Sequence, residues 1–361
     1  MQTLLGLRWK KHNKGQALLN ISFWHRSWWK QDIAIDLGTA NIMVYVKRRG
    51  IVVEEPAVIA VDTLLHRVVA IGKEAYDMLG RTPRNISAYY PLQKGAIVDY
   101  DATAYMITYF IQKAIGRPWL FKPNVIISVP ASVTNVERRA VIEACMQAGT
   151  GKIVVMEETL AAAIGAGLDG TNSNGFMVVN IGGGTTNVAI LSASGIVFSE
   201  SLRMGGQAFD EAICQYLEKK KNIIIGRQTA ELLKIHIGTV LKEKQQDHVV
   251  VRGRSGETGL PVQVDVDSQE IRSALQEHVE AIIKMIVEVL EKAPPELASD
   301  IMDHGIVLAG GGMLLHGLER LISDRTGIAA YCCDDPLRCV IQGAGKTLYK
   351  MQRLKDSFSE G

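Results

Sequence analysis

Two stretches of this 361-residue chain decide its fold: residues 32–46, DIAIDLGTANIMVYV, and residues 176–190, FMVVNIGGGTTNVAI. Each reads as an apolar strand, a turn carrying glycine, and a second apolar strand. Laid over one another at an offset of 144, Asp36 falls on Asn180, Gly38 on Gly182 and Val44 on Val188. Most apolar strand positions coincide as well. A repeat of this kind implies two related halves that each open with the same strand–turn–strand unit.

Outward from the repeat, strands and helices alternate. Residues 124–129 form an apolar run ending at Pro130, and Thr134 with Glu137 has the spacing of a capping box. Val136, Ala140, Val141, Ala144 and Ala148 follow at helical spacing up to Gly149. A strand over 153–156 and a helix over 159–168 come next, then a polar turn, DGTNSNG at 169–175. In the second half, helices are expected over 209–220, 229–242 and 269–292, and a hairpin around RGRSGETG. A strand over 306–308 leads into Gly310-Gly311-Gly312 and a helix over about 313–324. The class is therefore α/β.

The formal net charge of +2 conceals an asymmetry. Residues 1–31 carry six basic residues and no acid, which leaves 34 basic against 38 acidic residues, a net of −4, for the rest. Trp9, Trp24, Trp28 and Trp29 share that segment; Trp119 is the fifth. An acidic body argues against a nucleic-acid binder and turns attention to a local basic, aromatic anchor. The five cysteines show no zinc-ligand spacing and fit a reducing cytosol. No stretch reaches the ~18 apolar residues of a spanning helix.

Three glycine turns follow apolar strands: DLGTAN, NIGGGTTN and LAGGGML. Glycine lets backbone N–H groups approach phosphate oxygens closely, and Thr39, Thr185 and Thr186 add hydroxyls. A helix after the third turn would favour an anion at its N-terminus. One such turn is commonly only structural; two copies and a third point to a nucleotide. The three turns match neither the Walker A nor the G-x-G-x-x-G pattern.

The set DLGTAN, EET-AAAIGAGL, NIGGGTTN, AELLK and LAGGG resembles the actin / heat-shock-chaperone / sugar-kinase ATPase superfamily, and within it the MreB/Mbl family of bacterial rod-shape-determining proteins. The resemblance runs from Asp32 to about Tyr349. It implies an actin-like duplicated fold, with ATP or ADP and Mg2+ in the cleft between two domains that each carry a smaller subdomain. The domains would span 32–172 (subdomain about 60–92) and 173–342 (subdomain about 209–271), with 343–361 returning to the first. It implies that Asp36 meets the magnesium through water, and that Gly38, Thr39, Ala40 and Asn41 line one phosphate turn. Gly182, Gly183, Gly184 and Thr185 would line the other. Glu231, Leu232, Leu233 and Lys234 would serve the ribose and adenine side, and Gly310, Gly311, Gly312 and Met313 the adenosine and α-phosphate. Glu158 and Thr185 match the pair that orients the attacking water. From the residues alone, Glu158 reads equally as an acid at a helix N-terminus, and Glu231 with Lys234 as a solvated helix pair.

The sequence departs from this family in three places. Asn180 stands where the second turn usually begins with aspartate, Asn187 where glutamate is common, and Thr159 where proline is usual. Asparagine at 180 retains an acceptor oxygen without the charge, so its standing as a metal-side residue is weakened. Nucleotide binding is expected to survive and hydrolysis to be slowed.

Two segments suggest a membrane surface. On a helix over 17–31, Ala17, Ile21, Trp24 and Trp28 share a face that Leu18 and Trp29 widen. Trp119, Leu120 and Phe121 lie between Pro118 and Pro123, where the resemblance implies a loop that touches the inner leaflet. The bland readings are a structureless leader and three side chains tucked into the core. The expected role is a filament-forming ATPase, cytoplasmic and peripheral on the inner face of a bacterial plasma membrane. It would associate with itself and with the cell-wall elongation machinery. The alternatives are a scaffold that holds ATP without hydrolysing it, a small-molecule kinase, and a chaperone ATPase. The short 60–92 insert argues against the kinase, and the few residues after Lys346 against the chaperone.

Overall fold

The computed structural model describes residues 31–116, 122–168, 175–192, 195–242 and 247–359, with side chains as far as 350. Five strands of the first half, β1 (Ile33–Leu37), β2 (Asn41–Val46), β3 (Gly50–Pro56), β4 (Val125–Val129) and β5 (Ile153–Glu157), form a sheet in the order β5-β4-β1-β2-β3. Five of the second half, β6 (Phe176–Ile181), β7 (Thr186–Ser192), β8 (Gly195–Leu202), β9 (Ile306–Ala309) and β10 (Ala330–Cys332), repeat it as β10-β9-β6-β7-β8. The offset of 144 is also the register. Asp36 pairs with Met43 and Leu37 with Ile42 in β1–β2; Asn180 pairs with Asn187 and Ile181 with Thr186 in β6–β7. β4 and β9 are buried along their whole length and join β1 and β6 in parallel. Their unbroken apolar runs reflect cover on both faces.

The helices of eight residues or more are α1 (Tyr100–Ile115), α2 (Asn135–Gln147), α3 (Glu158–Gly165), α4 (Gly206–Lys221), α5 (Arg227–Ile237), α6 (Ser268–Glu291), α7 (Pro295–His304), α8 (Leu318–Thr326) and α9 (Cys339–Ser359). The Thr134–Glu137 box caps α2 with both reciprocal bonds. α5 stops at Ile237, short of the expected 242, because the chain leaves helical geometry at Gly238. Each half also carries a small three-stranded sheet. One is built from Ile59–Asp62, Arg67–Ile71 and Ile86–Tyr89, the other from Ile223–Ile224, His248–Ser255 and Pro261–Asp267.

Each half has its own apolar core, and a third apolar layer joins them. That layer places Ala34, Met43 and Ile126 of the first sheet and Val178, Ala189 and Val307 of the second against α3 and α9. The two helices cross backbone to backbone. A Cβ on Gly343 would strike the Ala161 carbonyl, and one on Gly165 the carbonyl of Cys339. Gly343→Ala is therefore expected to lower stability by about 1–3 kcal/mol through overpacking, measured as a reduced urea midpoint at unchanged m-value.

Candidate functional site

The turns after β1 and β6 meet face to face. A Cβ on Gly183 would overlap Ala40, and one on Gly184 would stand 2.5 Å from the Thr39 Oγ1. Both positions must be bare for the halves to approach. The third turn leans on the second, since a Cβ on Gly310, at φ +86°, would meet the Ile181 carbonyl and stand 2.6 Å from the Asn180 Oδ1. Gly206 and Gln207, at the start of α4, donate backbone N–H groups to the carbonyls of Gly182 and Gly183 at 3.0 and 2.8 Å. The three turns thus converge on one cavity of about 930 Å3.

Two carboxylates stand at its floor. Asp36, at the end of β1, accepts a hydrogen bond from the Ser128 hydroxyl across the β1–β4 pair at 2.6 Å. Glu158, in the first turn of α3, is 6% exposed. Its Oε2 accepts the amides of Asn180 and Asn187, each at 3.0 Å. Burial pushes both carboxyls above the ordinary carboxylate range, and the charge of Asp36 raises Glu158 further. The opposite wall carries Glu231 and Lys234 on one face of α5. Lys234 Nζ pairs with Asp210 at 2.6 Å and donates to the Gly206 carbonyl at 3.0 Å.

A family model described as MreB/Mbl protein matches residues 30–356. The chain is 44% identical over 328 residues to the cell shape-determining protein MreB of Escherichia coli, covering 90% of this chain and 94% of that one. It is 42% identical over 324 residues to the cell shape-determining protein Mbl of Bacillus cereus, covering 90% and 97%. The chain belongs to the MreB/Mbl family. Among solved structures, MreB5 of Spiroplasma citri bound to ADP superposes with a TM-score of 0.85 at 34% identity, covering 92% of this chain and 99% of that one. A MamK double helical filament, at 22% identity and a TM-score of 0.74 over 89% of this chain and 99% of that one, shares the fold. The fold is actin-like, as the motifs implied.

Of the residues singled out in the sequence, Asp36, Gly38–Asn41, Glu158, Asn180, Gly182–Thr185, Glu231, Lys234 and Gly310–Gly312 all line the cavity of this MreB/Mbl chain. Leu232, Leu233, Met313 and Thr186 do not, and the buried Thr186 hydroxyl donates instead to the Met204 carbonyl at 2.8 Å. Leu232 is turned to solvent at 55% exposure, and Leu233 and Met313 are buried in the core of the second half. Helical periodicity explains the α5 pattern: residues three apart share a face, and the two between them point elsewhere. The third turn also departs from expectation. Gly311–Leu314 is a single 3₁₀ turn, Leu315 is extended, and α8 begins only after Gly317 in the left-handed conformation. No α-helix N-terminus stands directly behind the glycines. Trp24, Trp28, Trp29, Trp119, Leu120 and Phe121 lie outside the described residues. Among the described residues, no helix is long and apolar enough to cross a membrane.

Glu231 and Lys234 share a face without pairing with each other. The Glu231 Oε2 accepts the Tyr76 hydroxyl at 2.6 Å, and Gln228 Nε2 donates to the Tyr76 carbonyl at 2.6 Å. Tyr76 sits on the short helix Lys73–Asp77 of the first half, so these bonds clasp the two halves at the cavity. Nothing in the sequence pattern marks Tyr76 or Gln228, because the pairing is across 155 and 152 residues. Tyr76→Phe removes one of the two bonds. Amide hydrogen exchange in 73–77 and at the start of α5 is expected to quicken by about five- to tenfold, the equivalent of roughly 1 kcal/mol of local opening; unchanged exchange in both would show that the clasp contributes nothing.

Proposed function

We propose that this chain is a cytoskeletal protein that binds ATP between its halves, assembles into filaments and determines rod shape by organising cell-wall synthesis at the inner face of the cytoplasmic membrane. The observation that carries the reading is the convergence of three bare glycine turns, the buried Glu158 and the half-buried Asp36 on one cavity. The names of its relatives, cell shape-determining proteins MreB and Mbl, support the cellular role. Spiroplasma citri MreB5 structures bound to ADP and to AMPPNP support the ligand. The proposed domains are 32–172 and 173–342, with 343–361 returning to the first. The packing of α9 against α3, β1 and β2 is consistent with that return.

In this reading the triphosphate lies between Gly38–Asn41 and Gly182–Thr185, whose backbone N–H groups meet its oxygens. The donor set suits Mg2+, a hard cation that keeps several waters and takes one or two carboxylates beside phosphate. Asp36 would hold it through water, and the amide oxygen of Asn180 is a weaker candidate. Neighbouring carboxylates that repel one another, as Asp36 and Glu158 do, are relieved by a cation nearby. When bound, Mg2+ would neutralise phosphate charge. Glu158 would accept a proton from the attacking water, and the Thr185 hydroxyl would help orient that water.

Asn180 supplies no charge there, and its amide is turned to Glu158. A missing unit charge near a divalent ion amounts to a few kcal/mol at an effective dielectric of ~20, and about 3 kcal/mol is roughly a hundredfold in rate. Asn180→Asp is expected to release phosphate from Mg-ATP faster than the native chain, by about ten- to a hundredfold, and Glu158→Gln slower by about a hundredfold or more. Equal rates for native and Asn180→Asp protein would remove the argument from charge. The same observation favours a second reading, a scaffold that holds ATP without turnover. Sedimentation and electron microscopy on the same preparation separate them, since ATP-dependent filaments with no phosphate release are the scaffold's signature.

Membrane attachment is tested by flotation with anionic liposomes. Deleting 1–31, or changing Trp119, Leu120 and Phe121 to Ser, is expected to reduce the floated fraction, and the combination to abolish it. Undiminished flotation of the combined variant would end the idea.

A further inference from the structure

Asn187 carries no role in the reading above, yet it is completely buried and central. β6, β7 and β8 pair so that Asn180, Asn187 and Ser201 stand directly opposite one another across three adjacent strands. This polar row faces an otherwise apolar layer, with Val178, Ala189 and Leu191 further along the same two strands. Asn187 is 0% and Asn180 3% exposed. Side-chain amides in such a layer must be hydrogen-bonded, and these converge on Glu158.

The orientation of Asn187 follows from chemistry at both ends. The Ser201 hydroxyl donates to its Oδ1 at 2.7 Å. Its Nδ2 therefore faces the other way, to the Glu158 Oε2 at 3.0 Å and the Thr185 Oγ1 at 3.2 Å. A carboxylate accepts only, so a reversed amide would set oxygen against oxygen. With the Asn180 amide on the same Oε2, Glu158 cannot turn about its side-chain torsions without breaking two bonds.

We propose that Asn187, oriented by Ser201, is the positioning residue that locks Glu158 and Thr185 into one unit and so sets the rate of ATP hydrolysis without adding to ATP affinity. The proposal rests on the hydrolytic reading above. Neither Asn187 nor Ser201 lines the cavity, so neither is placed to touch a nucleotide held there. Both act through Glu158, whose usefulness as a base depends on being held at a fixed place. Because Ser201 acts only by orienting Asn187, its effect must vanish once Asn187 is gone.

The test uses the full chain with Mg-ATP. Phosphate release at saturation and ATP affinity by calorimetry are measured for native protein, Asn187→Ala, Ser201→Ala and the double variant. Asn187→Ala is expected to lower kcat by about tenfold or more and Ser201→Ala by about threefold. The double variant should match Asn187→Ala, with Kd for ATP within about twofold throughout. Losses that multiply in the double variant, Kd values that weaken in step with kcat, or an unchanged kcat would each overturn the proposal. If Asn187→Ala fails to fold, Ser201→Ala decides alone: a lowered kcat at unchanged Kd supports the proposal, and an unchanged kcat overturns it. Native protein that binds ATP but releases no phosphate overturns the positioning role and leaves ATP binding standing. Native protein that binds no ATP removes the nucleotide reading itself.

Discussion

The Ala40 methyl occupies the place where a side chain on Gly183 would have to be, and Thr39 does the same to Gly184. This mutual exclusion between two turns, one from each half, is the constraint on which the site depends. Two strands end in facing turns, and only bare backbone on one side lets them approach. Beside those turns stand Asp36 and Glu158, both carried by the first sheet and close enough for the charge on one to raise the pKa of the other. The approach leaves a cavity whose wall at the turns is bare glycine backbone. The third turn obeys the same rule, since Gly310 and Gly312 must be bare to lean on Ile181.

The interlock holds because the halves are joined elsewhere. α3 and α9 lie between the two sheets and cross at Gly165 and Gly343, where carbonyl groups fill the space that side chains would take. Glu158 opens α3, so the helix that joins the halves also delivers the buried carboxylate. Structure and chemistry share a single element. Its first turn is stabilised by amides from the second sheet, and its last turn packs against α9. At the opposite side of the cavity, two hydrogen bonds join Tyr76 of the first half to Glu231 and Gln228 of the second.

Much of this was legible in the sequence. The 144-residue repeat carried both the duplicated topology and the strand register, because a side-chain period of two leaves little freedom once one face is apolar. The Thr134–Glu137 cap, the glycine turns and the face shared by Glu231 and Lys234 follow from local rules, and the structure has them. Leu232, Leu233 and Met313 were carried along by contiguity with motif residues, and helical geometry turns them away from the cavity. The helix expected behind Gly312 is broken because Gly317 takes a left-handed conformation that no spacing rule anticipated. Tyr76, Gln228, Ser128 and Ser201 were silent, since each earns its place through a partner far away in the chain.

What the sequence determined by itself is therefore the set of units: two copies of one strand–turn–strand, the places where a side chain must be missing, and membership of the MreB/Mbl family. Those depend on local periodicity and on glycine, which act over a few residues. Tertiary structure alone decided which units face each other. It put Asn180, Asn187 and Ser201 in one row beneath Glu158, and it set Tyr76 against Glu231. The physical reason is range. Hydrogen bonds and repulsion between buried charges act over a few ångströms of space, and only the folded chain brings residues so distant in sequence that close.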